Sequence, residues 1–105
     1  MARSANIVKF TVKPAQRQRL LAEIQALATH TQGEDGTLLY VAHTSVDDEN
    51  ELWMYELFSD QEAVGAHESS AVHHRAVQVL FECLEIDPEV HVLDVAVAGK
   101  GVPDH

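Results

Sequence analysis

The sequence predicts a single α+β domain: a four-stranded sheet in the order β-α-β-β-α-β with both helices on one face. Three observations carry that prediction. Apolar residues alternate with period two near both ends of the chain, they recur three and four residues apart in the stretches between, and a short acidic turn joins two strand-like runs in the middle. A chain of 105 residues suits one domain, and at that size folding buries roughly two thirds of the unfolded surface.

Taken in order, Asn6 to Val12 alternates Val8, Phe10 and Val12 against Ile7, Lys9 and Thr11, the pattern of a half-buried strand. Pro14 suits a first helical turn, because its missing N–H is one the helix would leave unbonded anyway. Leu20, Leu21, Ile24, Leu27 and Ala28 then recur at helical spacing to about His30. Gly33 and the Glu34-Asp35-Gly36 cluster end this helix, and Thr37 to Ser45 reads as a second strand. Val46 to Asn50 is an acidic turn into a third strand, Glu51 to Phe58, making the pair an antiparallel hairpin. Ser59 or Asp60 can cap a short helix from Gln61, since its side-chain oxygen accepts from unbonded backbone N–H groups. A break at Ser69-Ser70 precedes a longer helix, about Ala71 to Leu84, with Val72, Val77, Leu80, Phe81 and Leu84 as core candidates. Asp87-Pro88 stops it, Glu89 to Ala98 alternates as a last strand, and residues 99–105 read as a flexible tail. The right-handed crossover rule turns this order into a ferredoxin-like split sheet.

The third strand is apolar on both sides, with Trp53, Tyr55 and Leu57 opposite Leu52, Met54, Glu56 and Phe58. Helices cover one side only. A chain this short covers the other most simply with a second copy of itself, which predicts a homodimer.

Charge and composition narrow the function. The formal net charge is −10, and no Lys or Arg occurs between Arg19 and Arg75. That argues against nucleic acid, whose affinity rests on cationic contacts to phosphate. The chain holds no apolar run near the roughly 20 residues that would span a bilayer. Its start lacks the charged and apolar regions of a signal peptide, so a cytoplasmic location is the expectation. The single cysteine, Cys83, has no partner for a disulfide or a CxxC motif and reads as a buried thiol.

Most familiar chemistry finds no motif. Gly99-Lys100-Gly101 opens no helix after a strand, so no phosphate loop is present. His67-Glu68 begins a zinc-protease pattern, but position 71 is Ala where a second His is required. His73 and His74 are adjacent and therefore about 100° apart on a helix, poor geometry for one metal, and both read as surface residues. No nucleophile elbow occurs. What remains is a carboxylate on the third strand, Glu56, and a histidine at the end of the following helix, His67. Desolvation among Leu52, Met54 and Phe58 would raise the Glu56 pKa and suit it to act as a base.

The segment from Leu52 through Tyr55-Glu56-Leu57-Phe58 to Ala63-Val64-Gly65-Ala66-His67, followed by Ser69-Ser70, resembles the antibiotic biosynthesis monooxygenase family. There a strand ending Tyr-Glu-x-aromatic leads to an Ala-x-x-x-His helix. Upstream, Glu34-Asp35-Gly36 through Tyr40 resembles that family's acidic-x-Gly-x-x-x-Tyr lead into the second strand, and Val12-Lys13-Pro14 its lead into the first helix. The resemblance spans about Ile7 to Val97. It implies a dimeric α+β barrel, Glu56 and His67 as catalytic residues, and Tyr40, Trp53, Tyr55 and Phe58 as aromatics of the substrate pocket or the interface. It further implies oxidation of a reduced quinol or polycyclic phenol by molecular oxygen, with no flavin, haem or metal cofactor.

Two branches of the wider superfamily give other expectations. Haem-degrading relatives use an Asn, a Trp and an iron-ligating His; this chain has Asn6 near the first position, but His67 and Val77 at the others leave both essential types missing, so haem degradation is not expected. A branch processing small phosphosugar signals also carries the Glu and His, but an arginine-poor centre suits a phosphorylated ligand badly. A non-catalytic barrel that binds a small phenolic molecule is the remaining alternative.

Overall fold

The computed structural model describes residues 3–102. The chain runs through β1 (Ser4–Thr11), α1 (Arg17–Thr31), β2 (Thr37–Thr44), β3 (Glu51–Phe58), α2 (Gln61–Glu68), α3 (Ala71–Cys83) and β4 (Glu89–Asp94). A single 3-10 turn, Pro14–Gln16, leads into α1. The strands form one antiparallel sheet in the order β2-β3-β1-β4. This is the expected ferredoxin-like arrangement, with the second helical region divided into α2 and α3.

The core lies between the sheet and the helices. Val8 and Phe10 extend from β1, Val12 from just beyond its end, Leu52 and Met54 from β3, and they meet Leu20 and Ile24 of α1 and Val79 and Cys83 of α3. Leu20, Ile24, Leu27 and Thr31 are buried along one stripe of α1, three and four residues apart. Cys83 is fully buried. Phe81, expected in the core, is 57% exposed because α3 turns Val79 and Cys83 inward, and Phe81, two residues from each, points to the opposite side of the helix.

Two further expectations are corrected. The last strand ends at Asp94 rather than Ala98, because its ladder partner runs out: Asp94 pairs with Ser4, the first residue of β1. β4 is also exposed along its length, and Val90 and Val92 are open to solvent. Leu57, assigned to a face awaiting a partner, is already fully covered within one chain. Of the tail, residues 99–102 include a turn with Gly101 at φ 91°, a left-handed conformation that favours glycine; residues 103–105 lie outside the described residues.

Gly36 fixes how β2 approaches α2. Its carbonyl accepts the Ser59 N–H at 2.9 Å, and a Cβ placed on it would lie 2.3 Å from Ala63 Cβ. Only a residue without a side chain lets the turn at the start of β2 lie this close to α2. Gly36→Ala is therefore expected to cost about 1–3 kcal/mol, as overpacking does, in urea unfolding. Gly33→Ala, whose Cβ meets only a carbonyl oxygen at 3.7 Å, serves as the control and is expected to leave the midpoint nearly unmoved. Equal midpoints for the two variants would contradict the packing account.

Candidate functional site

The site grows from three short pieces of backbone. Asp60 caps α2 by accepting the Ala63 N–H at 2.8 Å, which starts the helix directly after β3. His67 then falls in the last turn of α2, facing the core with only 1% of its surface exposed. Ser70 joins the next helix to it. Its hydroxyl donates to the His67 carbonyl at 3.1 Å, and the same oxygen accepts the His73 N–H at 3.1 Å.

Glu34 comes from the turn after α1, tied by its N–H to the Thr31 carbonyl at 3.0 Å. His67 Nδ1–H donates to Glu34 Oε1 at 2.8 Å, and Thr37 Oγ1–H donates to the same oxygen at 2.7 Å. Burial alone would raise the Glu34 pKa. The bonds from Thr37 and His67 and the charges of His67 and His30 outweigh it and hold the carboxyl below its ordinary value. His30 Nε2 lies 3.4 Å from Glu34 Oε2, but the contact has no hydrogen-bond geometry and leaves that buried oxygen unbonded.

Bonding at Nδ1 turns His67 Nε2 toward β3. There Glu56 Oε1 lies 3.6 Å away, just beyond hydrogen-bond reach, so Nε2 is buried without a partner. Glu56 shares the helix-facing side of the sheet with Tyr40, its register partner on β2. Burial pushes the Glu56 pKa up to about 7; the nearby Glu68 and Glu34 carboxylates add to the rise and His67 opposes it. Tyr40 is held above the ordinary phenol range, first by burial and then by the Glu56 and Glu34 charges, so its hydroxyl keeps its proton.

These groups form one end of a cavity of about 70 Å³. Phe10, Leu20, Ile24, Leu27, Met54, Val77 and Leu80 make its apolar walls, while Tyr40, Glu56, His67, His73 and Glu23 supply polar atoms. Pockets for drug-sized ligands run to about 300–1,000 Å³ and a cavity of about 150 Å³ holds benzene, so the walls of this one must part to take an aromatic ring. Beyond Glu23 a groove of about 230 Å³ opens between α1 and α3, lined also by Arg19, Ala22, Arg75 and Val79. Arg75 pairs with Glu23 where the two spaces meet. The arginines that bracket the cation-free stretch of the chain thus come together beside the cavity.

Of the residues singled out in the sequence, Glu56, His67 and Tyr40 meet at the cavity. Phe58 is fully buried, its ring centroid 5.3 Å from that of His67, and it backs the histidine without reaching the cavity. Trp53 and Tyr55 are on the opposite face, because side chains alternate along β3 and Met54 and Glu56 take the helix side. There Trp53 Nε1–H donates to Glu51 Oε1 at 2.9 Å. Sequence reasoning passed over Glu34 and His73 as site residues. Glu34 lies in a turn, where no periodicity says which way a side chain points, although its place in the acidic-x-Gly motif was a signal. His73 lines the cavity instead of lying on the surface. Among the described residues no group of three His, Cys, Asp or Glu side chains is arranged to hold a metal ion, and no helix is long and apolar enough to cross a membrane.

The fold and site together define a small ferredoxin-like domain in which a buried histidine, bonded to one carboxylate and close to a second, lies at the polar end of an apolar cavity. The chain belongs to the antibiotic biosynthesis monooxygenase family, whose sequence pattern it matches over residues 4–79. It is 35% identical over 60 residues to the Bacillus subtilis (strain 168) protein named "Putative monooxygenase YcnE", a match covering 57% of this chain and 63% of that protein. Among solved structures it is similar to Rv0793 from Mycobacterium tuberculosis, with TM-score 0.84 and 28% identity over 93% of this chain and 98% of the other. A Caulobacter crescentus CB15 structure described as a "putative antibiotic biosynthesis monooxygenase" shares the fold, with TM-score 0.86 and 20% identity over 91% and 92% of the two chains.

The raised Glu56 pKa has a consequence for stability. A carboxyl whose pKa rises on folding makes the folded state the stronger proton binder. The stability it contributes is intact below the unfolded value near 4.5 and is lost as pH climbs through about 7. Glu56→Gln removes that loss. The variant's stability relative to the parent is therefore expected to rise between those limits, by up to about 3 kcal/mol, in urea unfolding followed across pH. A difference independent of pH would contradict it.

Proposed function

We propose that this protein is a cofactor-independent monooxygenase that oxidises a small hydroxyarene, such as a reduced quinol or phenol, with molecular oxygen. The observation that carries the reading is the place of Glu56, a mostly buried carboxyl at the polar end of an apolar cavity and beside the unbonded Nε2 of His67, where burial raises its pKa to about 7. A base works best when its pKa lies near the working pH. Glu56 takes the proton of the ring hydroxyl, and His67, steadied by Glu34, hydrogen-bonds the same oxygen or shares the proton. The arenolate so formed is electron-rich enough to pass an electron to oxygen. One oxygen atom then enters the ring as a quinone carbonyl and the other leaves as water with two hydrogens of the substrate. The apolar walls exclude water from this exchange. Membership of a monooxygenase family supports the reaction class.

The test is oxygen uptake by metal-free protein given a panel of quinols and phenols, with autoxidation subtracted. Glu56→Gln is expected to keep its fold and lose roughly 100-fold or more of the turnover, the size of a lost general base. His67→Ala is expected to fall as well. Full turnover in Glu56→Gln overturns the role of the carboxyl. Saturable binding without turnover in the parent protein points to a binding barrel, and proton exchange without oxygen uptake to an isomerase.

We further propose that the functional unit is a homodimer joined through the sheet face opposite the helices. That face presents Val41 and Leu93, 40% and 44% exposed, beside the half-buried Trp53 and Tyr55, an apolar surface unlike the exterior of a stable monomer. Val41→Lys forces a charge into such an interface and is expected to shift sedimentation from dimer to monomer while the circular dichroism spectrum stays the same. A dimer undisturbed by the substitution contradicts this assembly.

A further inference from the structure

His73 has no part in the proton chemistry described above, yet it lines the same cavity. It lies in the first turn of α3, held through Ser70 to the end of α2, and its ring meets the His67 ring nearly edge-on at 4.9 Å between centroids. Three buried side-chain atoms of the described residues lack a hydrogen-bond partner: Glu34 Oε2, His67 Nε2 and His73 Nδ1. Two of them are thus ring nitrogens of neighbouring imidazoles on one cavity wall.

Buried polar atoms are almost always bonded, because leaving one unsatisfied is costly. Two unbonded nitrogens buried beside an apolar cavity are an arrangement that a ligand with two oxygens completes once the cavity walls part. Burial, and next the charge of His67, lowers the His73 pKa; the Glu68 carboxylate and carbonyl oppose this less strongly. An uncharged imidazole offers one N–H and one lone pair, so it can meet either a hydroxyl or a carbonyl oxygen.

The two rings are close neighbours, and oxygens on one edge of a ligand can reach both. Oxygens at opposite ends of an aromatic ring point away from each other and cannot. We propose that His73 is a substrate-binding residue that selects hydroxyarenes carrying two oxygens on the same edge, on adjacent or peri carbons, holding one while Glu56 and His67 hold the other. The proposal rests on the hydroxyarene reading of the site and adds to it the pattern of oxygens the substrate must carry.

The experiment measures binding rather than turnover. Catechol, hydroquinone and phenol are titrated anaerobically into the parent protein and into His73→Phe and His73→Gln, followed by NMR chemical-shift changes, with thermal melting to check the fold. The parent is expected to bind catechol roughly tenfold more tightly than phenol or hydroquinone, the worth of one hydrogen bond. His73→Phe is expected to bind catechol and phenol alike, and His73→Gln to restore part of the preference. Discrimination that persists in His73→Phe, or a parent that binds hydroquinone as well as catechol, overturns the proposal. Oxygen uptake separates the two readings. Turnover without catechol preference sinks the role of His73 alone, catechol preference without turnover sinks the monooxygenase reading alone, and a parent that binds none of the three sinks both.

Discussion

The hydrogen bond from His67 Nδ1 to Glu34 Oε1, 2.8 Å long and closed to solvent on the histidine side, is the constraint on which the site depends. It fixes which ring nitrogen carries the proton and which one faces the sheet. Because Glu34 is held below its ordinary pKa, it stays ionised and steadies positive charge on His67 whenever the ring takes a second proton. The bond also explains local details of the backbone. Gly36 lets the turn carrying Glu34 lie against α2, Thr37 turns the carboxylate by bonding the same oxygen, and Asp60 starts α2 where its last turn can meet Glu34.

Two carboxylates on one histidine could be expected to behave alike, but their surroundings drive them apart. Glu34 accepts hydrogen bonds from Thr37 and His67. Glu56 accepts none, lines the apolar cavity and feels the charges of Glu68 and Glu34. One is a fixed anion and the other a proton acceptor poised near neutrality, a division of roles that acid-base sites build from paired titratable groups. The remaining open valences, at His67 Nε2 and His73 Nδ1, belong to two residues that line the apolar cavity.

Much of this was legible in the sequence where periodicity speaks. Alternation along β3 put Glu56 with Leu52 and Met54, and that same alternation sends Trp53 and Tyr55 to the other face. Helical spacing with an Asp60 cap placed His67 at the end of α2. Residues outside periodic segments were less legible. Glu34 points inward from a turn, so only its motif hinted at a role. His73 is one of two adjacent histidines, and which of them faces the cavity depends on the angle at which α3 leaves Ser70. The end of β4 depends on where β1 begins, a tertiary fact. Leu57 looked like an interface residue because both sides of its strand are apolar, whereas the chain covers it unaided.

The central claim is that Glu56 keeps its proton until near neutrality because the fold buries it beside a histidine already committed to Glu34. Infrared spectroscopy of the protein with labelled glutamate, titrated with pH, reads that proton directly through the carboxyl C=O stretch. The account predicts one protonated glutamate band that disappears with a midpoint near 7 and is absent from Glu56→Gln. A spectrum in which every glutamate ionises in the ordinary range near 4.5 would contradict it.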